Sequence, residues 1–296
     1  MEQSLDKILS DNHSGSATLA RNMLEYFKEI LHECSKSETD LDTCFTNLNE
    51  ESKLIIKSQP NMALLRKTNT LFLSHFKRAL QSENSEIIPT SLKKIEELQQ
   101  RISENLKQIA VSGSKLIANS NTLMTISHSA NVREIILNAH KKKKRFEIYC
   151  LKSHPPDEGV QLAEILSKEN IQTTLIADSE MGVFMPELNG VIVGADRLYK
   201  DGFVNKAGTL PLVLTARYFK VPVYLAVETW KILSEKEKAL KFVERSTDEV
   251  YKNRNSELNV QNIYYERVPL EMISKVICEE GVFDRDEFVD WYLEDI

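Results

Sequence analysis

Apolar side chains recur every three or four positions through the first part of the chain; past about residue 120 they gather into short runs separated by amphipathic stretches. The first pattern is that of helices with one buried stripe. One helix is expected after the Ser14-Gly15-Ser16 loop, carrying Leu19, Met23, Leu24, Phe27 and Leu31, and another after Pro60. A third, from near Ser91, carries Ile95, Leu98, Ile102, Leu106 and Ile109 at nearly heptadic spacing, and a packed bundle helix is favoured over an exposed coiled coil. Gly and Pro are scarce and no strand is expected, so residues 1–120 read as a helical domain.

The second pattern predicts strands at Thr122–Ile126, Phe146–Cys150, Thr173–Ala177, Val191–Gly194 and Val221–Val227. Between them, Val132–Lys142, Gly159–Lys168 and Thr209–Phe219 have the length and pattern of crossover helices. Residues 121–296 therefore read as an α/β domain with a Rossmann-like parallel sheet covered on both faces. In such a fold ligands sit outside the carboxyl ends of the strands, where the strand order reverses.

With 296 residues, two unequal domains are more plausible than one core. The 38 Lys and Arg against 44 Asp and Glu give a net charge of −6 and no global reason to expect direct nucleic-acid binding. The basic run Lys141–Arg145 sits at an expected helix carboxyl terminus, where cations favour the dipole, and is read as such. Cys34, Cys44, Cys150 and Cys278 form no Cys-x-x-Cys pair, so neither a metal site nor a disulfide framework is indicated. The polar, acidic start and the lack of a long apolar run argue against export and membrane insertion. A reduced, cytoplasmic protein is expected.

The candidate chemistry lies at the expected strand ends. After Val191-Ile192-Val193 the chain reads Gly194-Ala195-Asp196, then a polar loop with Asp201-Gly202, then Asn205-Lys206-Ala207-Gly208-Thr209 opening a helix. Asp196 would project a carboxylate into the crevice, Gly208 would permit close backbone approach, and Thr209 would cap a helix whose free N–H groups attract an anion beside Lys206. A plain strand-turn-helix connection with Asp196 as a structural cap weighs equally on residue chemistry alone. The first strand ends in the hydroxyl cluster Thr125, Ser127 and Ser129, which suits either phosphate and sugar oxygens or a helix cap at Ser127 or Ser129. Glu228 and Lys231 end the last strand and suit either a site or a surface ion pair. No Gly-x-Gly-x-x-Gly or P-loop pattern occurs, and no cofactor is expected.

Seven segments in order carry a resemblance: Pro60-x-Met62-Ala63, Met124-Thr125 with Ser127 and Ser129, Asp178-Ser179, Gly194-Ala195-Asp196, Asn205-Lys206-x-Gly208-Thr209, Glu228-Thr229-Trp230-Lys231, and Val268-Pro269-Leu270-Glu271 with Glu280-Gly281-Val282. The chain resembles the family that joins the regulatory subunits of eukaryotic translation initiation factor 2B with ribose-1,5-bisphosphate isomerase and methylthioribose-1-phosphate isomerase. The resemblance implies that the isomerases move a proton between sugar carbons with a cysteine at the end of the first strand and the aspartate of Gly-Ala-Asp. Asp196 matches that aspartate, but Ser127 stands where the cysteine belongs. A serine hydroxyl needs a dedicated base that a thiol does not. His154-Pro155 replaces an arginine-proline phosphate contact, and the loop His13-Ser14-Gly15-Ser16 lacks the arginine of the isomerases.

The resemblance implies an alpha-type subunit that binds a phosphorylated sugar or nucleotide, regulatory rather than catalytic. Expected ligand contacts are Ser127, Ser129, Asn205, Lys206, Gly208, Thr209, Glu228 and Lys231. The alternative is an aldose-phosphate isomerase with an altered site, in which Asp196 carries proton transfer and Ser127 assists. The family also implies a homodimer paired through the sheet domains, with other initiation factor 2B subunits as partners.

Overall fold

The computed structural model describes residues 4–11, 14–37, 39–81, 86–233, 245–252 and 257–292. Residues divide into two compact units, Met1–Glu104 and Asn105–Ile296.

Among its described residues the regular elements of the first unit are all helices: α1 (Leu5–Ser10), α2 (Ser16–Lys36), α3 (Leu41–Ser58), α4 (Ala63–Leu80) and the beginning of α5 (Ile87–Gly113). Asp40 starts α3 by accepting from the Thr43 amide at 3.1 Å. Pro60, which cannot donate and biases its predecessor away from helix, separates α3 from α4. The α2 stripe foreseen from spacing is fully buried, and Phe27 of α2 meets Phe72 of α4 at 5.2 Å between ring centroids. α5 starts four residues before Ser91, because Pro89 falls in its first turn, where a missing N–H costs no helical bond. Its predicted stripe is buried, from Ile95 to Ile109.

One expectation fails here. Cys34 near the end of α2 and Cys44 in the first turn of α3 form a disulfide. Ten positions separate them in sequence, but the tight α2–α3 connection brings their Cα atoms to 6.3 Å, within bonding range. Cys150 and Cys278 are free and buried. Thiol titration of the unfolded, unreduced chain is therefore expected to find two thiols, and four after reduction; four before reduction would refute the bridge.

In the second unit the five expected strands are β1 (Asn121–Thr125), β2 (Phe146–Leu151), β3 (Gln172–Ile176), β4 (Gly190–Gly194) and β7 (Val223–Ala226). Crossovers are α6 (Ala130–Lys141), α7 (Glu158–Lys168) and α9 (Thr209–Tyr218), with the short α8 (Met181–Phe184) after β3. Five further strands had no clear signal: β5 (Arg197–Leu198), β6 (Gly202–Lys206), β8 (Tyr265–Pro269), β9 (Lys275–Cys278) and β10 (Gly281–Asp284), before α10 (Arg285–Tyr292). The main sheet runs β10-β9-β7-β4-β1-β2-β3, parallel except for β10 against β9. Strands β5, β6 and β8 form a separate antiparallel sheet.

Alternation along β4 explains the two-sided core. Ile192 packs with α6 and α7 residues such as Ile135 and Leu162, while Val191 and Val193 pack with Leu212 and Ala216 of α9. Chain order reverses between β1 and β4, so the switch-point crevice opens outside their carboxyl ends. The Lys141–Arg145 run is a helix ending: Lys142 Nζ donates to Ser114 Oγ at 3.0 Å and Lys144 Nζ to the Ser114 carbonyl at 2.8 Å. Among the described residues, no helix is long and apolar enough to cross a membrane. Trp291 is exposed but lies against Phe283 of the edge strand β10, ring centroids 5.5 Å apart; residues 293–296 of the acidic end lie outside the described residues.

Candidate functional site

Three segments meet at the crevice, and small residues let them do so. Gly194 at the end of β4 lies so close to Ser129 that a Cβ would stand 2.4 Å from its hydroxyl. Gly208 adopts φ +103°, and a Cβ there would meet Ile126 at 2.9 Å. Ser129 caps α6, accepting from the Val132 amide at 3.5 Å, which is the structural role foreseen as its alternative.

Ser127 follows β1 in the left-handed region, φ +66°. A non-glycine residue in that region is held by its surroundings. Here the Ser127 amide donates to Ser153 Oγ at 2.7 Å, and Asp178 accepts from the Ser153 and His154 amides at 2.7 and 2.8 Å. Among the described residues, no hydrogen bond links the Ser127 hydroxyl to a base. His128 turns instead to Arg133, 3.3 Å from Nε2, and to Gln161; burial, then Arg133, lowers its pKa. The free thiols do not replace the missing cysteine, since burial pushes Cys150 up to about 12 and Cys278 up to about 11.

Asp196 sits at the floor. Part of its surface stays open, but protein packs closely round the carboxyl, and this desolvation raises its pKa against the pull of Lys231, Arg197 and Lys206. Lys231 is buried and donates to the Ala195 carbonyl at 2.8 Å, while Glu228 is buried too. A surface ion pair is thereby excluded for these two residues. His154, which departs from the phosphate-binding arginine of the isomerase resemblance, has its Nδ1 2.7 Å from Asp157 Oδ1 on the exposed side. His13 of the amino-terminal loop lies outside the described residues.

The segment foreseen as a polar loop is a buried hairpin. Gly202–Lys206 pairs with β5 on one side and β8 on the other, and all five residues are buried. Gly-Phe-Val-Asn-Lys shows no two-residue alternation because both faces are covered, so the sequence reads as loop. Thr209 is not the cap of α9; Gly208 is. Thr209 Oγ1 donates to the Lys206 carbonyl at 2.6 Å and accepts from Asn205 Nδ2 at 2.9 Å, so Asn205 and Thr209 brace each other.

The α9 amino terminus, foreseen as free for a ligand anion, already holds one. Glu266 Oε1 of β8 accepts from the Gly208 amide at 2.6 Å and the Leu210 amide at 2.9 Å. Glu158, Tyr265 and Glu266 are candidate site residues, by their engagement with Lys206, Asp196 and the α9 amino terminus, that sequence reasoning missed. The Tyr265 hydroxyl is held well above its ordinary range, first by burial and second by the Asp196 carboxylate it faces. Glu266 and Tyr265 carried no signal because β8 had not been recognised; Glu158 follows His154-Pro155 closely enough to have been flagged. Among the described residues, no group of three His, Cys, Asp or Glu converges to hold a metal.

A mostly parallel sheet with a polar crevice at its switch point, floored by the partly open Asp196 and flanked by the buried Lys206 and Lys231, defines a Rossmann-like α/β class. The profile of the Initiation factor 2 subunit family matches residues 12–285, and the chain belongs to that family. A Pyrococcus furiosus protein with the provisional name of translation initiation factor eIF-2B subunit 2-like is 30% identical over 280 residues, 94% of each chain. Ribose 1,5-bisphosphate isomerase of Methanocaldococcus jannaschii is 25% identical over 95% of this chain and 91% of its own. The crystal structure of Pyrococcus horikoshii OT3 translation initiation factor eIF-2B superposes with a TM-score of 0.80 at 28% identity, covering 96% of this chain and 97% of that one.

Proposed function

We propose that this protein is a regulatory, non-catalytic family member of the alpha-subunit type, binding a phosphorylated sugar or nucleotide in the switch-point crevice. One observation carries the reading: at the end of β1, Ser127 is locked in a left-handed turn, and among the described residues nothing hydrogen-bonds its hydroxyl to take its proton. The crevice keeps the parts for binding, Asp196, Lys231 and the neighbouring backbone, without the thiol that the isomerase resemblance requires. Within this reading the protein is cytoplasmic, forms a homodimer and associates with other initiation factor 2B subunits.

A second reading rests on Asp196. Its raised pKa suits a group that exchanges a proton, as an aldose-phosphate isomerase needs. Thermal-shift titration against ribose phosphates, methylthioribose-1-phosphate and nucleoside monophosphates separates the two when followed by an aldose-to-ketose assay. The expected outcome is stabilisation approaching about 2.7 kcal/mol at a hundredfold excess over Kd, without turnover. Turnover that vanishes in Asp196→Asn would establish the isomerase instead.

A further inference from the structure

Lys206, the cation expected beside the α9 amino terminus, is already engaged. Lys206 Nζ lies 3.2 Å from Glu158 Oε2, donates to the Pro155 carbonyl and stands 4.1 Å from the centre of the Tyr264 ring. The two charged side chains are only 4% and 11% exposed, so little water screens their attraction. Glu158 is also the first residue of α7, where a helix amino terminus favours its negative charge.

Resting on the reading of the crevice as a phosphate-ligand site, we propose that Glu158 determines its specificity: an internal carboxylate that holds Lys206 and competes with the phosphate of an incoming ligand. A phosphate reaching Lys206 must displace Glu158, leaving a buried carboxylate without its counter-ion, or enter alongside it against like charge. Either route costs more than breaking an exposed pair.

The surroundings deepen that cost. Asp196 bears on Glu158 with the same sign, and Asp178 and Glu249 bear on Lys206 from neighbouring segments. Tyr264 gives its hydroxyl to Glu249 at 2.5 Å, so it does not neutralise Glu158. Burial raises the Glu158 carboxyl and lowers the Lys206 ammonium, each opposed by the other, as expected of two groups that depend on mutual pairing. The class of ligand follows. A sugar bearing one phosphate, with neutral hydroxyls over the rest of its surface, fits the charge of the crevice; a bisphosphate does not.

Calorimetric titration of the full chain with ribose 5-phosphate tests this, with ribose as the neutral comparator. Glu158→Gln and Glu158→Ser are expected to bind ribose 5-phosphate at least tenfold more tightly than the unaltered protein, with ribose unchanged. Glutamine keeps a hydrogen-bonding group beside Lys206, and serine is well tolerated at a helix start, so one folded variant suffices. The gain is expected to vanish when Lys206→Ala is added. Binding by the unaltered protein without a gain in the folded variants, or a gain that survives Lys206→Ala, overturns the role of Glu158 and leaves the crevice reading standing. No binding of ribose 5-phosphate or inorganic phosphate by any form overturns both.

Discussion

Gly159→Ala is expected to lower the unfolding free energy by about 3 kcal/mol. A Cβ at Gly159 would stand 1.8 Å from the Leu151 carbonyl oxygen and 2.9 Å from both the Leu151 carbonyl carbon and Ser153 Oγ. The obstacle is backbone, and that backbone cannot step aside. Leu151 ends β2 in register with Ile176 of β3, and the Gly159 amide donates to the Lys152 carbonyl at 3.2 Å. The first turn of α7 must therefore lift away from the sheet, taking buried Leu162 and Leu166 with it.

The displacement also reaches Ser127, because Ser153 Oγ holds its amide. Urea unfolding should show a lower midpoint at unchanged slope. Gly182→Ala serves as the control, since its Cβ would meet nothing nearer than Thr215 Cγ2 at 4.0 Å. A Gly159→Ala midpoint equal to that of the control would refute the close packing of α7 on β2.

Glu266→Ala is expected to cost about 3 kcal/mol as well, by a different route. One carboxylate oxygen serves two amides at the start of α9, those of Gly208 and Leu210, in a partly buried position. Removing it leaves two donors without an acceptor at a helix end where the dipole also favoured the negative charge. Gly208 itself turns the chain at φ +103°, which sets the direction of its amide toward Glu266. Glu266→Gln keeps an acceptor oxygen and should recover part of the loss. Equal urea midpoints for Glu266→Ala and the unaltered protein would show that Glu266 does not anchor α9.

Both sites show how internal carboxylates shape the crevice. Glu266 occupies a helix terminus and Glu158 occupies Lys206, the two features that sequence spacing had offered to a ligand. Residue spacing along one chain reports which groups lie near a strand end. It does not report a partner that arrives from β8, some sixty positions later, or from the first turn of α7.

Residue pattern located α2, α4 and α5, though not α3, and the five parallel strands with their crossovers, because a stripe or a fully apolar run is a local property of the chain. It also located Asp196 and Ser127 just beyond strand ends, since a strand's end is where its apolar run stops; Lys206, expected at the opening of a helix, instead ends β6. The small β5-β6-β8 sheet escaped because β6 is covered on both faces and mixes Gly, Asn and Lys, leaving no alternation to read. The Cys34–Cys44 bridge escaped because the distance between two cysteines is set by a turn between helices, not by their separation in sequence. Membership of the Initiation factor 2 subunit family was legible in order and spacing of motifs. Only the tertiary structure decided which charges remain open to a ligand, because pairing of buried charges depends on which backbones pack together, and that is a property of the folded chain.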